Sequence, residues 1–169
     1  MTNFRVGILT VSDRASRGEY QDLSGPQLVR IVQETDGLVL AEVDIVPDEV
    51  EAIQQCLVNW ADSGRVDLII TTGGTGFAPR DITPEATREV IDKEAPGIAE
   101  AMRWESLKIT PHAMLSRGIV GIRGSSLIVN LPGSPKAARE NLLSILQVLP
   151  HALELIQGRG ADSHDIKQN

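Results

Sequence analysis

Residues 66–81 read VDLIITTGGTGFAPRD, a short apolar run followed at once by a cluster of glycines. Continuous apolar runs like 66–71 are typical of a strand that is buried on both faces of a sheet. Gly73, Gly74 and Gly76 tolerate positive φ and can present successive backbone N–H groups to an anion. Their spacing matches neither a Walker A loop nor a GxGxxG motif. The stretch therefore predicts a central strand that ends in a phosphate-binding loop, with an ordinary tight turn as the alternative.

Four more segments predict strands around this central one. They cover residues 4–11, 38–46, 119–122 and 127–131. Within 38–46, Glu42 and Asp44 fall on one side of the strand, and such alternation suits the edge of a sheet. The last two segments are joined across residues 123–126, so they predict a hairpin.

Helical patterns lie between these strands. One helix is expected from Ser24, which has capping-box spacing with Gln27, and it ends at Gly37. Further helices are expected after Pro47, from Thr83, over 98–107 and after the loop 132–135, the last one kinked or ended by Pro150. Strands that alternate with helices are the signature of an α/β layer fold.

Length and composition exclude several classes of protein. The 169 residues suit a single domain, assigned to 1–158, and the polar residues 159–169 are expected to form a disordered tail. A net charge of −7 and only 3% aromatic residues argue against a nucleic-acid partner. Cys56, the single cysteine, is interpreted as a core residue and favours a reducing, cytoplasmic setting. No apolar run approaches the length of a membrane span.

Four loops are expected to leave the C-terminal ends of strands, where α/β sheets bind their ligands. These loops cover residues 12–16, 47–49, 72–81 and 132–135. Arg80 can neutralise an oxyanion, whereas Asp81 would repel a phosphate unless a cation lay between them. Asp81 therefore predicts Mg²⁺, and Asp48 is the candidate second ligand.

Local sequence also offers simpler interpretations of several polar residues. Asp48 and Glu51 have N-cap spacing, so Asp48 alternatively caps a helix. Asp13 and Arg14 predict a surface ion pair. Two further residues are interpreted structurally, Ser134 as a helix cap and His112 as a structural histidine.

Taken together, six segments of the chain resemble the MogA/MoaB family of molybdenum cofactor biosynthesis. They are LTVSDRAS (9–16), VPDE (46–49), TTGGTGFAPRDITPEAT (71–87), PG (96–97), ESLKITPHAMLSR (105–117) and GIRGSSLIVNLPGSP (121–135). The resemblance spans residue 5 to about residue 157 and is closest to the molybdopterin adenylyltransferases. It implies an α/β three-layer sandwich, with a mostly parallel sheet and helices on both faces, that is commonly a homotrimer.

The activity implied by this resemblance is Mg²⁺-dependent transfer of AMP from ATP to the terminal phosphate of molybdopterin, which releases pyrophosphate. The product would pass to a molybdenum insertase. A non-catalytic molybdopterin-binding or carrier module, as in MoaB-like proteins, is the alternative. A generic nucleotide-binding protein with another substrate is a third interpretation.

The resemblance also assigns roles to residues. Asp48 and Asp81 become the catalytic residues and the Mg²⁺ ligands. The implied contacts to ATP and molybdopterin are Ser12, Asp13, Thr72, Gly73, Gly74, Thr75, Gly76, Arg80, Ser106, Ser116, Arg117, Asn130, Pro132 and Gly133. Which of them touch adenine and which touch pterin stays open.

Overall fold

A computed structural model of the chain describes residues 3–159. The strands are β1 Phe4–Val11, β2 Leu38–Val46, β3 Leu68–Thr72, β4 Lys93–Glu94, β5 Val120–Arg123 and β6 Ser126–Leu131. The helices are α1 Asp13–Ser16, α2 Ser24–Gln33, α3 Val50–Asp62, α4 Thr83–Val90, α5 Pro96–Leu107, α6 Pro135–Ile145 and α7 Leu149–Ile156, with a 3₁₀ helix at Pro111–Leu115. Residues 160–169, which hold nearly all of the predicted tail, lie outside the described residues.

The strands form one sheet in the order β2-β1-β3-β6-β5-β4. The first four are mutually parallel, and β5 and β4 add antiparallel pairs at the other end. The predicted mostly parallel sheet is confirmed, as are the edge position of β2 and the β5–β6 hairpin. The central strand is β3, and all five of its residues are buried.

Alternate residues of the central strands pack into two separate cores. Leu68 and Ile70 of β3 face the core formed with α2, α5, α6 and α7, whereas Ile69 faces the core formed with α3 and α4. Full burial of one such aliphatic side chain contributes about 1.5–3 kcal/mol. The expected three-layer sandwich is therefore confirmed, and its packing holds β3 and the loop that follows it in place.

Two details of the helix ends differ from the predictions. Ser24 lies inside α2 rather than capping it, because the Asp22 carboxylate upstream already accepts from the Gly25 N–H at 3.0 Å. The predicted capping box is therefore wrong. Pro150 behaves as expected: α6 ends at Ile145, and Pro150 lies in the first turn of the new helix α7.

Among residues 3–159, no helix is both long enough and apolar enough to cross a membrane. The assignment of 1–158 to a single domain stays a prediction.

Candidate active site

The glycine loop, residues 73–76, begins where β3 ends. Gly73 and Gly74 have φ angles of +107° and +66°, a region that favours glycine. A Cβ at Gly73 would collide with the carbonyl oxygen of Val11, and one at Gly74 with the Thr83 hydroxyl. Gly76 does not have a positive φ; a Cβ there would instead lie 2.8 Å from an oxygen of Asp81.

Hydrogen bonds from neighbouring elements hold this loop. The Thr83 hydroxyl donates to the Gly73 carbonyl at 2.9 Å, so Thr83 binds the loop rather than capping α4, whose N-cap position is Ile82. Gly73 N donates to the Leu131 carbonyl at 3.1 Å. The loop is thus tied both to the end of β6 and to the start of α4.

Two cavities adjoin at the glycine loop. The small cavity, of about 230 Å³, is bordered by Ser12, Tyr20, Asp22, Asp48, Thr72 and Gly73, among others. The large cavity, of about 430 Å³, is bordered by Thr75, Gly76, Arg103, Ser106, His112, Ser116, Pro132 and Asn141, among others. Gly74, Asp81 and Gly133 line both. The carboxyl ends of β1, β3 and β6 therefore open onto one divided crevice, at the place predicted for ligand binding.

Asp48 points its carboxylate into this crevice instead of capping a helix. The N-cap of α3 is Glu49 and makes no side-chain cap bond, so the capping interpretation of Asp48 is wrong. Asp48 Oδ2 accepts from the Asp13 N–H at 2.8 Å. Burial raises the pKa of the Asp48 carboxyl, and the charges of Asp13 and Asp81 raise it further. A cation next to Asp48 would therefore stabilise its ionised form.

Asp81 lies in the wall between the two cavities. One of its carboxylate oxygens accepts from the Ala78 N–H at 3.0 Å, and its backbone carbonyl accepts from Arg117 at 2.7 Å. The other carboxylate oxygen accepts no hydrogen bond from the residues that the structure describes. Asp48 and Asp81 both line the small cavity, so the structure brings the two candidate catalytic carboxylates together.

Asp13 forms its ion pair with Arg80, not with Arg14. Arg80 donates through Nε and Nη2 to the two carboxylate oxygens of Asp13, at 2.7 and 2.9 Å. The Arg14 guanidinium instead lies 4.9 Å from the ring centre of Tyr20. The predicted Asp13–Arg14 pair is therefore wrong, because the fold brings a distant arginine to Asp13. Neither Asp13 nor Arg80 lines the two cavities.

Arg117 forms hydrogen bonds with the glycine loop through both its side chain and its backbone. Its guanidinium donates to the carbonyls of Gly76 and Asp81, both at 2.7 Å, and it pairs with Glu85. Its backbone N–H donates to the Thr75 carbonyl at 2.9 Å. Arg117 thus binds the backbone carbonyls of Thr75, Gly76 and Asp81, and it lines neither cavity.

Asn130 is buried beneath the crevice. Its amide nitrogen donates to the hydroxyls of Thr71 and Thr87, each at 3.0 Å, and its oxygen accepts from Ile119 N at 3.3 Å. It lines neither cavity, and these bonds tie β6 to β3 and α4 beneath the crevice.

The remaining predicted contacts surround the crevice. Thr72 donates its hydroxyl to the Pro132 carbonyl at 2.7 Å, and Ser106 accepts from the Asn141 amide at 2.9 Å. Ser134 caps α6, as predicted, by accepting from Ala137 N.

Several crevice residues were not predicted as site residues. They are Tyr20, Asp22, Arg103, His112, Glu140 and Asn141. A signal was present for Asn141, because this amide interrupts the apolar face of α6 between Ala138 and Ile145. Asp22 and Tyr20 lie in a stretch without periodicity, so no comparable signal points to them.

Cys56 is partly buried against the core formed with α3 and α4, in agreement with its interpretation as a core residue. Burial raises the pKa of its thiol to about 12, so the thiol stays protonated at neutral pH.

Within residues 3–159, no group of three or more His, Cys, Asp or Glu side chains is placed to hold a metal ion. Mg²⁺ does not require such a group, because one or two carboxylates together with substrate phosphates and water can complete its octahedron.

Comparisons with known proteins identify the family to which the chain belongs. The sequence model of a family described as "probable molybdopterin binding domain" matches residues 7–151. Molybdopterin adenylyltransferase from Helicobacter pylori strain J99 is 46% identical, over 94% of this chain and 90% of that protein. Gephyrin from Dictyostelium discoideum is 47% identical over 94% of this chain, but the chain spans only 23% of gephyrin.

Solved structures of related proteins have the same fold as this chain. The molybdopterin biosynthesis enzyme MoaB from Thermus thermophilus is 56% identical, with a TM-score of 0.86, over 92% of this chain and 97% of that one. The chain therefore belongs to the molybdopterin-binding domain family, the family of the MogA and MoaB proteins.

Proposed function

We propose that the chain is a nucleotidyltransferase, a molybdopterin adenylyltransferase, which moves AMP from ATP to the terminal phosphate of molybdopterin and releases pyrophosphate. The observation that carries the proposal is that Asp48 and Asp81 converge beside the glycine loop in the small cavity. Two carboxylates beside a phosphate-binding loop repel the ligand unless a cation accompanies it. A carboxylate pair that holds such a cation fits transfer between phosphates, which depends on neutralisation of negative charge.

The two adjoining cavities support a reaction that joins two substrates. They meet at Gly74, Asp81 and Gly133, so groups bound in either cavity reach the same loop. Transfer between phosphates depends mainly on alignment of the reactants and on neutralisation of negative charge. The hydrogen bonds from Thr83 and Arg117 to the loop provide a rigid support for that alignment.

The donor set at the small cavity fits Mg²⁺. Among the described residues, neither Asp48 nor Asp81 takes part in an ion pair. The half-buried Asp48 carboxylate thus has a raised pKa and no cationic partner of its own. Asp48 and Asp81 would hold the ion with phosphate oxygens of the substrates. When bound, Mg²⁺ supplies Lewis acidity and offsets the charge at the reacting phosphorus.

We further propose that the protein is a cytoplasmic homotrimer and that a molybdenum insertase receives its product. The single, partly buried cysteine fits a reducing compartment. Relatives such as gephyrin, of which this chain spans 23%, support an association with further domains. Light scattering on the purified chain, of 18.3 kDa per subunit, tests the trimer directly.

The experiment that tests the function is Mg²⁺-dependent pyrophosphate release from ATP in the presence of molybdopterin. Asp81→Asn is expected to lower turnover by about 100-fold or more while the fold stays intact. Asp36→Asn, an exposed aspartate that lines neither cavity, is the matched control and should behave as the wild type.

Other outcomes would contradict the proposal. Near-normal turnover of Asp81→Asn would remove the metal assignment. Binding of molybdopterin without any pyrophosphate release would indicate the non-catalytic carrier. ATP hydrolysis that is independent of the pterin would indicate a different nucleotide-binding enzyme.

A further inference from the structure

Asp13, the first residue of α1, and Asp48, in the loop after β2, form a reciprocal pair of hydrogen bonds. Asp13 N donates to Asp48 Oδ2 at 2.8 Å, and Asp48 N donates to Asp13 Oδ1 at 3.0 Å. The two residues follow neighbouring parallel strands, β1 and β2, whose last residues Val11 and Val46 are in register. Each carboxylate therefore anchors the backbone of the other residue, and one oxygen of Asp48 is held in a fixed direction.

The second oxygen of Asp48 points to the glycine loop. Asp48 Oδ1 lies 3.1 Å from the position that a Cβ on Gly74 would occupy. The bond to Asp13 thus orients Asp48 so that its free oxygen lies beside the loop. Mutation of an outer residue that orients a metal ligand in this way typically costs about 10–100-fold in metal affinity or activity.

Arg80 in turn holds Asp13. Its bidentate bonds, together with the bond from Asp48 N, place three donors on the two oxygens of Asp13. Arg80 also neutralises Asp13, whose negative charge would otherwise repel Asp48. Neither side chain lines the two cavities, and the hydrogen bonds of both lead towards Asp48.

We propose that Asp13 and Arg80 are positioning residues: Arg80 holds Asp13, and Asp13 orients the Asp48 carboxylate toward the glycine loop. Neither residue contacts a substrate, in contrast to the role that the family resemblance implies for them. The inference rests on the proposed function, because it assumes that Asp48 binds the metal ion.

A double-mutant cycle tests this order of contacts. Asp13→Ala, Arg80→Met and the double variant are compared with the wild type by titration with Mn²⁺ in the presence of ATP, followed by electron paramagnetic resonance. Asp13→Ala keeps the backbone N–H that donates to Asp48 Oδ2 but removes the acceptor of Asp48 N, so the backbone that carries the Asp48 carboxylate loses its anchor. Each single variant is therefore expected to bind Mn²⁺ about tenfold more weakly, as is typical when a residue that orients a metal ligand is lost. The double variant should be no weaker than Asp13→Ala, because Arg80 acts only through Asp13.

Two further variants sharpen the test. Asp13→Asn keeps an acceptor for Asp48 N and should recover part of the lost affinity. Asp62→Ala breaks another bidentate pair, with Arg123, that lies away from both cavities, and it should leave Mn²⁺ binding unchanged. Circular dichroism of every variant checks that the fold is retained.

Turnover separates the failure of this inference from the failure of the proposed function. In the pyrophosphate assay, both single variants should lower kcat about tenfold with KM for molybdopterin within about twofold. Additive losses in the double variant, a raised KM for ATP in Arg80→Met alone, or no Mn²⁺ binding by the wild type would overturn the inference. An inactive wild type whose Mn²⁺ binding still follows the predicted cycle would overturn only the proposed function.

Discussion

Gly74→Ala is expected to destabilise the protein through two separate effects. Alanine at a φ of +66° costs about 1–2 kcal/mol. The added methyl group would also collide with the Thr83 hydroxyl and force it away from the Gly73 carbonyl, which costs about 1 kcal/mol more for the lost hydrogen bond. The sum is a loss of about 2–3 kcal/mol in the free energy of unfolding.

The assay is equilibrium unfolding in urea, with the stability taken from the midpoint and slope of the transition. Gly64→Ala is the matched control, because Gly64 has a φ of +67° and a Cβ there would meet nothing within 4 Å. It should lose only the backbone contribution of about 1–2 kcal/mol. Equal losses in the two variants would refute the claim that contacts from Thr83 shape the glycine loop. Gly74→Ala should also lower turnover, whereas Gly64→Ala should not.

Three further predictions concern buried groups. Asp48→Asn is expected to raise the free energy of unfolding at pH 7, because a carboxyl whose folded-state pKa is raised destabilises the fold wherever it is ionised. Urea melts should show this gain in stability shrinking as the pH falls towards about 4. A gain that does not change with pH would contradict this cause. Asn130→Ala should lose about 3 kcal/mol of stability in urea melts, since it leaves two threonine hydroxyls and one N–H without partners. KM for both substrates should stay unchanged. A raised KM would instead show that Asn130 contacts a substrate. Cys56→Ala should keep full turnover. In the native protein, burial raises the pKa of the Cys56 thiol to about 12, so the thiol should react slowly with iodoacetamide at pH 8. Rapid alkylation would show that the thiol is exposed to solvent.

The layered fold could be predicted because its signals are local. The apolar run ahead of the glycines predicts a strand that is buried on both faces of the sheet. β3 is that strand, because Ile69 packs into one core and its neighbours Leu68 and Ile70 pack into the other. The alternation of Glu42 and Asp44 with apolar residues indicated the edge, where β2 lies. Period-2 and helical patterns report burial directly, so they predict which layer an element occupies.

The partners of the polar residues could not be predicted in the same way. Local spacing predicted a helix cap by Asp48, three residues before Glu51, and an ion pair between Asp13 and Arg14. In the folded chain, Asp13 instead forms a hydrogen bond with Asp48 and an ion pair with Arg80. These contacts join the segments that follow β1, β2 and β3, which only the order of the strands brings together. Asn130 shows the same limit, because the family resemblance implies a substrate contact for it whereas its amide donates to Thr71 and Thr87.

If Asp48 and Asp81 serve adenylyl transfer, the α-phosphorus of ATP must move to molybdopterin, and a radioactive label on that phosphorus follows it. The purified protein is incubated with α-³²P-labelled ATP, Mg²⁺ and molybdopterin, and the labelled products are separated and identified by mass spectrometry. The label is expected to move to molybdopterin in step with pyrophosphate release, and Asp48→Asn and Asp81→Asn are each expected to lower this transfer by about 100-fold or more. Label that stays in ATP, or that appears only as free AMP or ADP whether or not molybdopterin is present, would contradict it.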